Sequence, residues 1–129
     1  MRYLLDTQCW LWMEAAPERL SEKVRKLILR KDTELFLSAA SAWEIAIKYA
    51  LGKLKLPVPP SEYVPDRMAK NGIDSIPVLS NHALRVAEMP LHHRDPFDRL
   101  IIAQALIEKF TIITSDRHFE SYTVDVLWT

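Results

Sequence analysis

Met1-Arg2-Tyr3-Leu4-Leu5-Asp6-Thr7 opens the chain, and its reading decides the fold. An apolar run of strand length closes on a carboxylate, and a helix-compatible pattern starts at residue 7. The same succession returns far downstream in Thr111-Ile112-Ile113-Thr114-Ser115-Asp116. Short continuous apolar runs bounded by turn residues suit strands buried on both faces, as in parallel sheets covered by helices. Working inward, strand-like stretches at 34–38 and 73–76 alternate with helical patterns. That alternation predicts an α/β fold: a three-layer α/β/α sandwich around a mainly parallel sheet of four or five strands.

The helices are read from their periodicity and end signals. Thr7 stands near the cap of a helix over 7–13, and Ser21 is read as the N-cap of a helix over 22–30. A helix over 40–51 stops at Gly52; it carries Trp43, Ile47, Ala50 and Leu51 on one side and Ser41, Glu44 and Lys48 on another. Pro57, Pro59, Pro60 and Pro65 mark the one irregular stretch, with a helix over 63–70 ended by Asn71-Gly72. Ser80 is read as the cap of a helix reaching residue 88. Asp95-Pro96 opens the clearest helix, over 97–110, with proline at a first-turn position. A turn or short helix at 116–120 and an edge strand at 123–127 complete the pattern.

The chain has 129 residues, which favours a single domain over 1–129. Apolar residues make up 49% and charged residues 26%, the balance of a globular protein. Seventeen basic residues offset 17 acidic ones, so any binding of nucleic acid must rest on a local patch or on a bound cation. The one cysteine, Cys9, excludes an internal disulfide and fits a reducing compartment, so a cytoplasmic location is expected. Asp6 interrupts the N-terminal apolar run too early for a secretion signal, and no run approaches the ~18 apolar residues of a membrane span.

Asp6 and Asp116 both fall just past strand ends, while Glu44 and Asp98 lie early in helices. Ligand sites in open α/β sheets form beyond the carboxyl ends of the strands. Each acid also has a plainer role. Asp6 can cap a helix, Glu44 can pair with Lys48 four residues on, Asp98 can sit in an acidic first turn begun by Asp95, and Asp116 can serve a turn. Taken together they predict one pocket whose mutual repulsion a cation would offset. An all-oxygen pocket suits Mg²⁺ or Mn²⁺, and so metal-assisted phosphodiester hydrolysis.

Four stretches carry a resemblance: Leu4-Leu5-Asp6-Thr7; Ser38-Ala39-Ala40-Ser41-Ala42-Trp43-Glu44-Ile45-Ala46-Ile47-Lys48; His93 through Ala105, with Asp95-Pro96-Phe97-Asp98-Arg99 at its centre; and Thr114-Ser115-Asp116-Arg117-His118-Phe119. In this order and spacing the chain resembles a PIN domain, and within that family the ribonuclease toxins of VapBC-type toxin–antitoxin pairs. The resemblance implies that Asp6, Glu44, Asp98 and Asp116 are the metal-site and catalytic acids. Thr114 matches the hydroxyl before the last of them, and Thr7, Asp95 and Lys48 stand beside them as auxiliary residues. It further implies an Mg²⁺- or Mn²⁺-dependent endoribonuclease that leaves a 5′-phosphate and a 3′-hydroxyl, a homodimer, and a cognate antitoxin that occludes the site.

Other readings are open. A catalytically silent PIN-like module would bind RNA or protein without cutting it. A receiver-like Mg²⁺-binding signalling domain would need an acidic pair after the first strand and a lysine after the last; here Thr7 follows Asp6, and no lysine follows 111–114. His92 and His93 lack the Cys or His partners of a zinc site. Trp10, Trp12 and Trp43 are candidates for base stacking or for packing. Lys48, Lys53, Lys55, Arg94 and Arg99 are candidates for phosphate contact, and His93 for a place near the phosphate.

Overall fold

The computed structural model describes residues 1–129. Five strands, β1 (Arg2–Leu5), β2 (Glu34–Ser38), β3 (Ile73–Ile76), β4 (Thr111–Thr114) and β5 (Val126–Trp128), form one sheet in the order β3-β2-β1-β4-β5. Every neighbouring pair is parallel. The helices are α1 (Thr7–Ala15), α2 (Glu22–Ile28), α3 (Ala39–Ala50), α4 (Pro60–Lys70), α5 (Ser80–Arg85) and α6 (Pro96–Glu108).

Successive strand residues point to opposite faces, and the two cores follow that alternation. Tyr3, Leu5, Leu35, Leu37 and Ile113 pack with Trp10 of α1, Val24 of α2, Ile45 of α3 and Tyr63 and Val64 of α4. Leu4 and Ile112 point the other way, into Ile101, Ile102 and Ala105 of α6, Phe110 and Phe119. The sheet is covered on both sides, as its uninterrupted apolar strands require.

β1 has β2 on one side and β4 on the other, so the strand order reverses there. The register pairs Leu5 with Ile113, and the Asp6 amide donates to the Ile113 carbonyl at 3.0 Å. The residues that follow β1 and β4 therefore emerge side by side at the switch point, where open sheets of this kind make their crevice.

Several element ends differ from the sequence reading, each for a local reason. α1 starts at Thr7 as read, capped by Asp6, whose Oδ1 accepts from the Gln8 amide at 2.8 Å, but it runs on to Ala15. Ser21 does cap α2 through Val24, but the helix ends at Ile28 because the chain turns there toward β2. Pro60 is the first residue of α4 rather than part of an irregular stretch, since a proline there removes no helical hydrogen bond. Ser80 does not cap α5; the Leu79 amide is taken by the His82 ring at 3.0 Å, and the helix gives way to a 3₁₀ turn at Val86. α6 stops at Glu108 because Lys109 adopts a left-handed conformation (φ 61°) that turns the chain into β4. β5 starts at Val126, three residues later than read, and pairing with β4 begins at the Asp125 carbonyl. In α3 Trp43 faces outward at 61% exposure, while Ala40, Ser41, Glu44 and Ile45 are buried.

Candidate active site

Asp6, Glu44, Asp98 and Asp116 line one cavity of about 480 Å³ at the switch point, together with Thr7, Lys48, Lys53, Asp95 and Ser115. β1 delivers Asp6, β4 delivers Ser115 and Asp116, α3 delivers Glu44 and Lys48, and α6 delivers Asp98. α3 and α6 each enter through a capped first turn, which fixes where their acids point. Ser38 Oγ accepts from the Ala40 amide, and Asp95 Oδ1 accepts from the Phe97 and Asp98 amides at 2.9 and 3.1 Å. Asp95 is thus the N-cap of α6 and also part of the cavity wall.

Each acid is held differently. Asp6 is 6% exposed; its Oδ2 accepts from the Thr114 hydroxyl and its Oδ1 from the Gln8 amide. Burial nevertheless pushes the Asp6 carboxyl above the ordinary aspartate range, and these two hydrogen bonds only partly oppose it. Glu44 is 5% exposed; its Oε2 accepts from Lys48 Nζ, while its Oε1 is buried with no hydrogen-bond partner. The bond to Glu44 in turn raises the Lys48 ammonium above its usual value. Asp98 is pushed up to about 8, first by burial and then by Asp95, Asp6, Asp116 and Glu44. Asp116 Oδ1 accepts from the His118 amide at 2.9 Å, and the Asp116 amide donates to Thr114 Oγ1 at 3.0 Å. Thr114 therefore ties the ends of β1 and β4 together, although it does not line the cavity itself.

No three of these side chains converge closely enough to make a ready ligand set as they stand. Their chemistry still fits a hard dication. The donors are all oxygens, one buried carboxylate oxygen lacks a partner, and the charged form of Asp98 is disfavoured by burial and by four neighbouring acids.

The remaining candidates separate. Lys48 and Lys53 reach the cavity. Lys55 lines a different depression, beside Pro57 and Tyr63, and Arg94 another, beside Leu91 and Pro96. Arg99 is not available for phosphate: its guanidinium is buried against the carbonyls of Pro90 (2.8 Å) and Val86 (2.9 Å) and the Tyr122 hydroxyl (3.0 Å). Trp10 is core, Trp12 packs against the same core, and exposed Trp43 meets Phe97 edge-to-face at 5.4 Å. The Thr7 hydroxyl donates to Ser41 Oγ at 2.8 Å, bracing α1 against α3.

The sequence reading gave no specific partner to His93 and no site role to His118. His93 Nε2 lies 3.4 Å from Asp98 Oδ2, and His118 Nδ1 lies 3.0 Å from Asp116 Oδ1. The two rings stack, centroids 5.0 Å apart and 5° from parallel. Burial and the neighbouring His118 lower the His93 pKa while that of Asp98 is raised, so their contact is a hydrogen bond rather than an ion pair. The one sequence signal for His93 was its place five residues before Asp98, in the loop that feeds α6.

The reversal point of a parallel sheet thus gathers carboxylates from two strand ends and two helix starts. Residues 3–124 match the family model described as PIN domain, and the chain belongs to that family. It is 47% identical over 60 residues to ribonuclease VapC16 of Mycobacterium tuberculosis; that match covers 46% of this chain and 43% of the relative, less than half of its length. It is 28% identical over 120 residues to ribonuclease VapC22 of the same organism, across 92% of this chain and 90% of the relative. The crystal structure of VapBC2 from Rickettsia felis, bound to a DNA fragment from their promoter, superposes with a TM-score of 0.74 at 16% identity, covering 99% of this chain and 98% of that one. No helix is long and apolar enough to cross a membrane.

Proposed function

We propose that this chain is a metal-dependent endoribonuclease of the toxin type, restrained by a cognate antitoxin. The observation that carries the reading is the buried, partnerless Oε1 of Glu44 inside a cavity that Asp6, Asp98 and Asp116 also line. Leaving such an oxygen unpaired is unfavourable unless a cation satisfies it. Two relatives named as ribonucleases, and a toxin–antitoxin complex from Klebsiella pneumoniae of the same fold, support RNA as the substrate and an antitoxin as the partner.

Asp6, Glu44 and Asp98 would hold Mg²⁺ or Mn²⁺, with Asp116 completing the pocket. Bound there, the ion supplies Lewis acidity, offsetting charge on the scissile phosphodiester and making water a better nucleophile. The protein contributes positioning. Thr114 and the Gln8 amide fix Asp6, the Asp95 cap fixes the first turn that carries Asp98, and Asp116 would orient the attacking water or bind a second ion. Lys48 neutralises Glu44 and, with Lys53, offers positive charge to the RNA backbone at the cavity wall. An antitoxin silences the site by inserting a basic side chain among the acids. A homodimer is part of the same reading, as is a single domain over 1–129.

The test is cleavage of total RNA by wild type and Glu44→Gln, each prepared free of antitoxin. Wild type should cut only with Mg²⁺ or Mn²⁺ and stop in EDTA, and Glu44→Gln should be inactive. Equal cleavage by both proteins, or cleavage that survives EDTA, would sink the proposal.

A further inference from the structure

Behind the acid cavity runs a chain of polar groups with no part in the four-carboxylate reading. Its base is Arg99, whose Nη1 donates to the Pro90 carbonyl at 2.8 Å and to the Tyr122 hydroxyl at 3.0 Å, while Nη2 donates to the Val86 carbonyl at 2.9 Å. Tyr122 is buried, and its hydroxyl lies 2.9 Å from His93 Nδ1. The opposite ring nitrogen, Nε2, faces Asp98 Oδ2 at 3.4 Å. The rings of His92 and His118 pack against Tyr122 and His93, at centroid distances of 4.8 and 5.0 Å, and leave the imidazole little freedom to turn.

The direction of this chain follows from what each group can do. A guanidinium only donates, so the Tyr122 oxygen accepts from Arg99. Once Asp98 is ionised as a ligand of a bound cation its oxygen can only accept, so Nε2 must carry the ring proton. Nδ1 is then the acceptor, and the Tyr122 hydroxyl is the donor that reaches it. Arg99, Tyr122 and His93 thus form a one-way relay whose last hydrogen bond fixes one oxygen of Asp98 and leaves the other free toward the cavity. Orienting partners of this kind govern how tightly a carboxylate binds a metal.

We propose that His93 is a positioning residue for Asp98, held in the Nε2–H tautomer by the Tyr122 hydroxyl, and that the Arg99–Tyr122–His93 relay sets the divalent-metal affinity of the site. The proposal rests on the metal-site reading above. It concerns neither substrate contact nor proton transfer: His93 acts through Asp98.

The experiment is Mn²⁺ binding by isothermal titration to the full chain, followed by RNA cleavage as a function of Mn²⁺ concentration. The proteins are wild type, Asp98→Asn, Tyr122→Phe, His93→Ala, His93→Gln and the double variant His93→Gln/Tyr122→Phe. Tyr122→Phe deletes one hydroxyl and keeps the ring packing, so it tests the relay even if His93→Ala fails to fold. Tyr122→Phe and His93→Ala should each weaken Mn²⁺ binding roughly 10–100-fold. Tyr122→Phe should also regain near-wild-type kcat at saturating Mn²⁺ with KM for RNA unchanged, a split that general loosening of the fold would not give. The Gln amide donates without needing a tautomer set, so His93→Gln should hold most of the affinity. Adding Tyr122→Phe to it should then change nothing further. Wild-type affinity in Tyr122→Phe, or independent additive losses in the double variant, would overturn the relay while leaving the metal site standing. Wild-type Mn²⁺ binding that Asp98→Asn does not weaken would overturn the metal-site reading, and the relay with it.

Discussion

Asp98 concentrates the electrostatic tension of the site, and its titration gives that tension a measurable sign. Its folded-state pKa of about 8 lies above the ordinary 3.8. Between those values the folded protein binds this proton more tightly than the unfolded chain, so the contribution of Asp98 to stability is greatest at low pH and falls as pH rises toward 8. Asp98→Asn removes the group that charges. In EDTA at pH 8 its melting temperature should exceed that of wild type by roughly 3 °C or more, and the difference should shrink toward zero near pH 4. A thermal scan of both proteins across that range checks it; a flat difference, or a less stable variant at pH 8, would show that the carboxylate is satisfied where it stands. A site that lowers stability where it holds its acids is the usual trade between function and fold.

Among the elements, α6 does two things at one end. Asp95 caps it through the amides of Phe97 and Asp98, and its charge also raises the Asp98 pKa. Asp95→Asn keeps a capping acceptor and removes the charge, whereas Asp95→Ala removes both. The Asn variant should therefore be the more stable of the two by about 1 kcal/mol, measured by urea unfolding in EDTA. Equal stabilities would mean that the cap contributes nothing. This end of α6 was legible in the sequence, because Asp-Pro followed by an apolar run is a local signal. So were the strand-end positions of Asp6 and Asp116, which depend on apolar runs and their terminators. What the sequence did not disclose depends on contacts made through space. His82 capping α5, Trp43 turned outward, and His93 braced by Tyr122 29 residues away leave no mark in local periodicity. The late start of β5 belongs with them, because it is fixed by pairing with β4.

At the scale of the whole molecule, both cores share one set of strands. Leu4 and Leu5 are neighbours in β1, yet they belong to opposite cores. Neither layer of helices can separate without stripping one face of the sheet, so the two cores should unfold together. Far-ultraviolet circular dichroism and tryptophan fluorescence should therefore trace the same urea transition, the fluorescence reporting Trp10 and Trp12 in the first core and Trp128 against the second. Two resolved transitions would contradict a single domain over 1–129. The pairing of β1 with β4 also joins residues more than 100 positions apart, and such non-local contacts make for slow folding.

That distance has a consequence for the timing of synthesis. Asp6 is made 108 residues before its partner Thr114, and further still before the fourth acid, Asp116. β1 waits at the centre of the sheet for a neighbour that the ribosome supplies only after β2 and β3. A nascent chain therefore carries three of the acids without the pocket that joins them. A chain cut short before β4 therefore carries Asp6, Glu44 and Asp98 but lacks Asp116 and the Thr114 hydroxyl that holds Asp6.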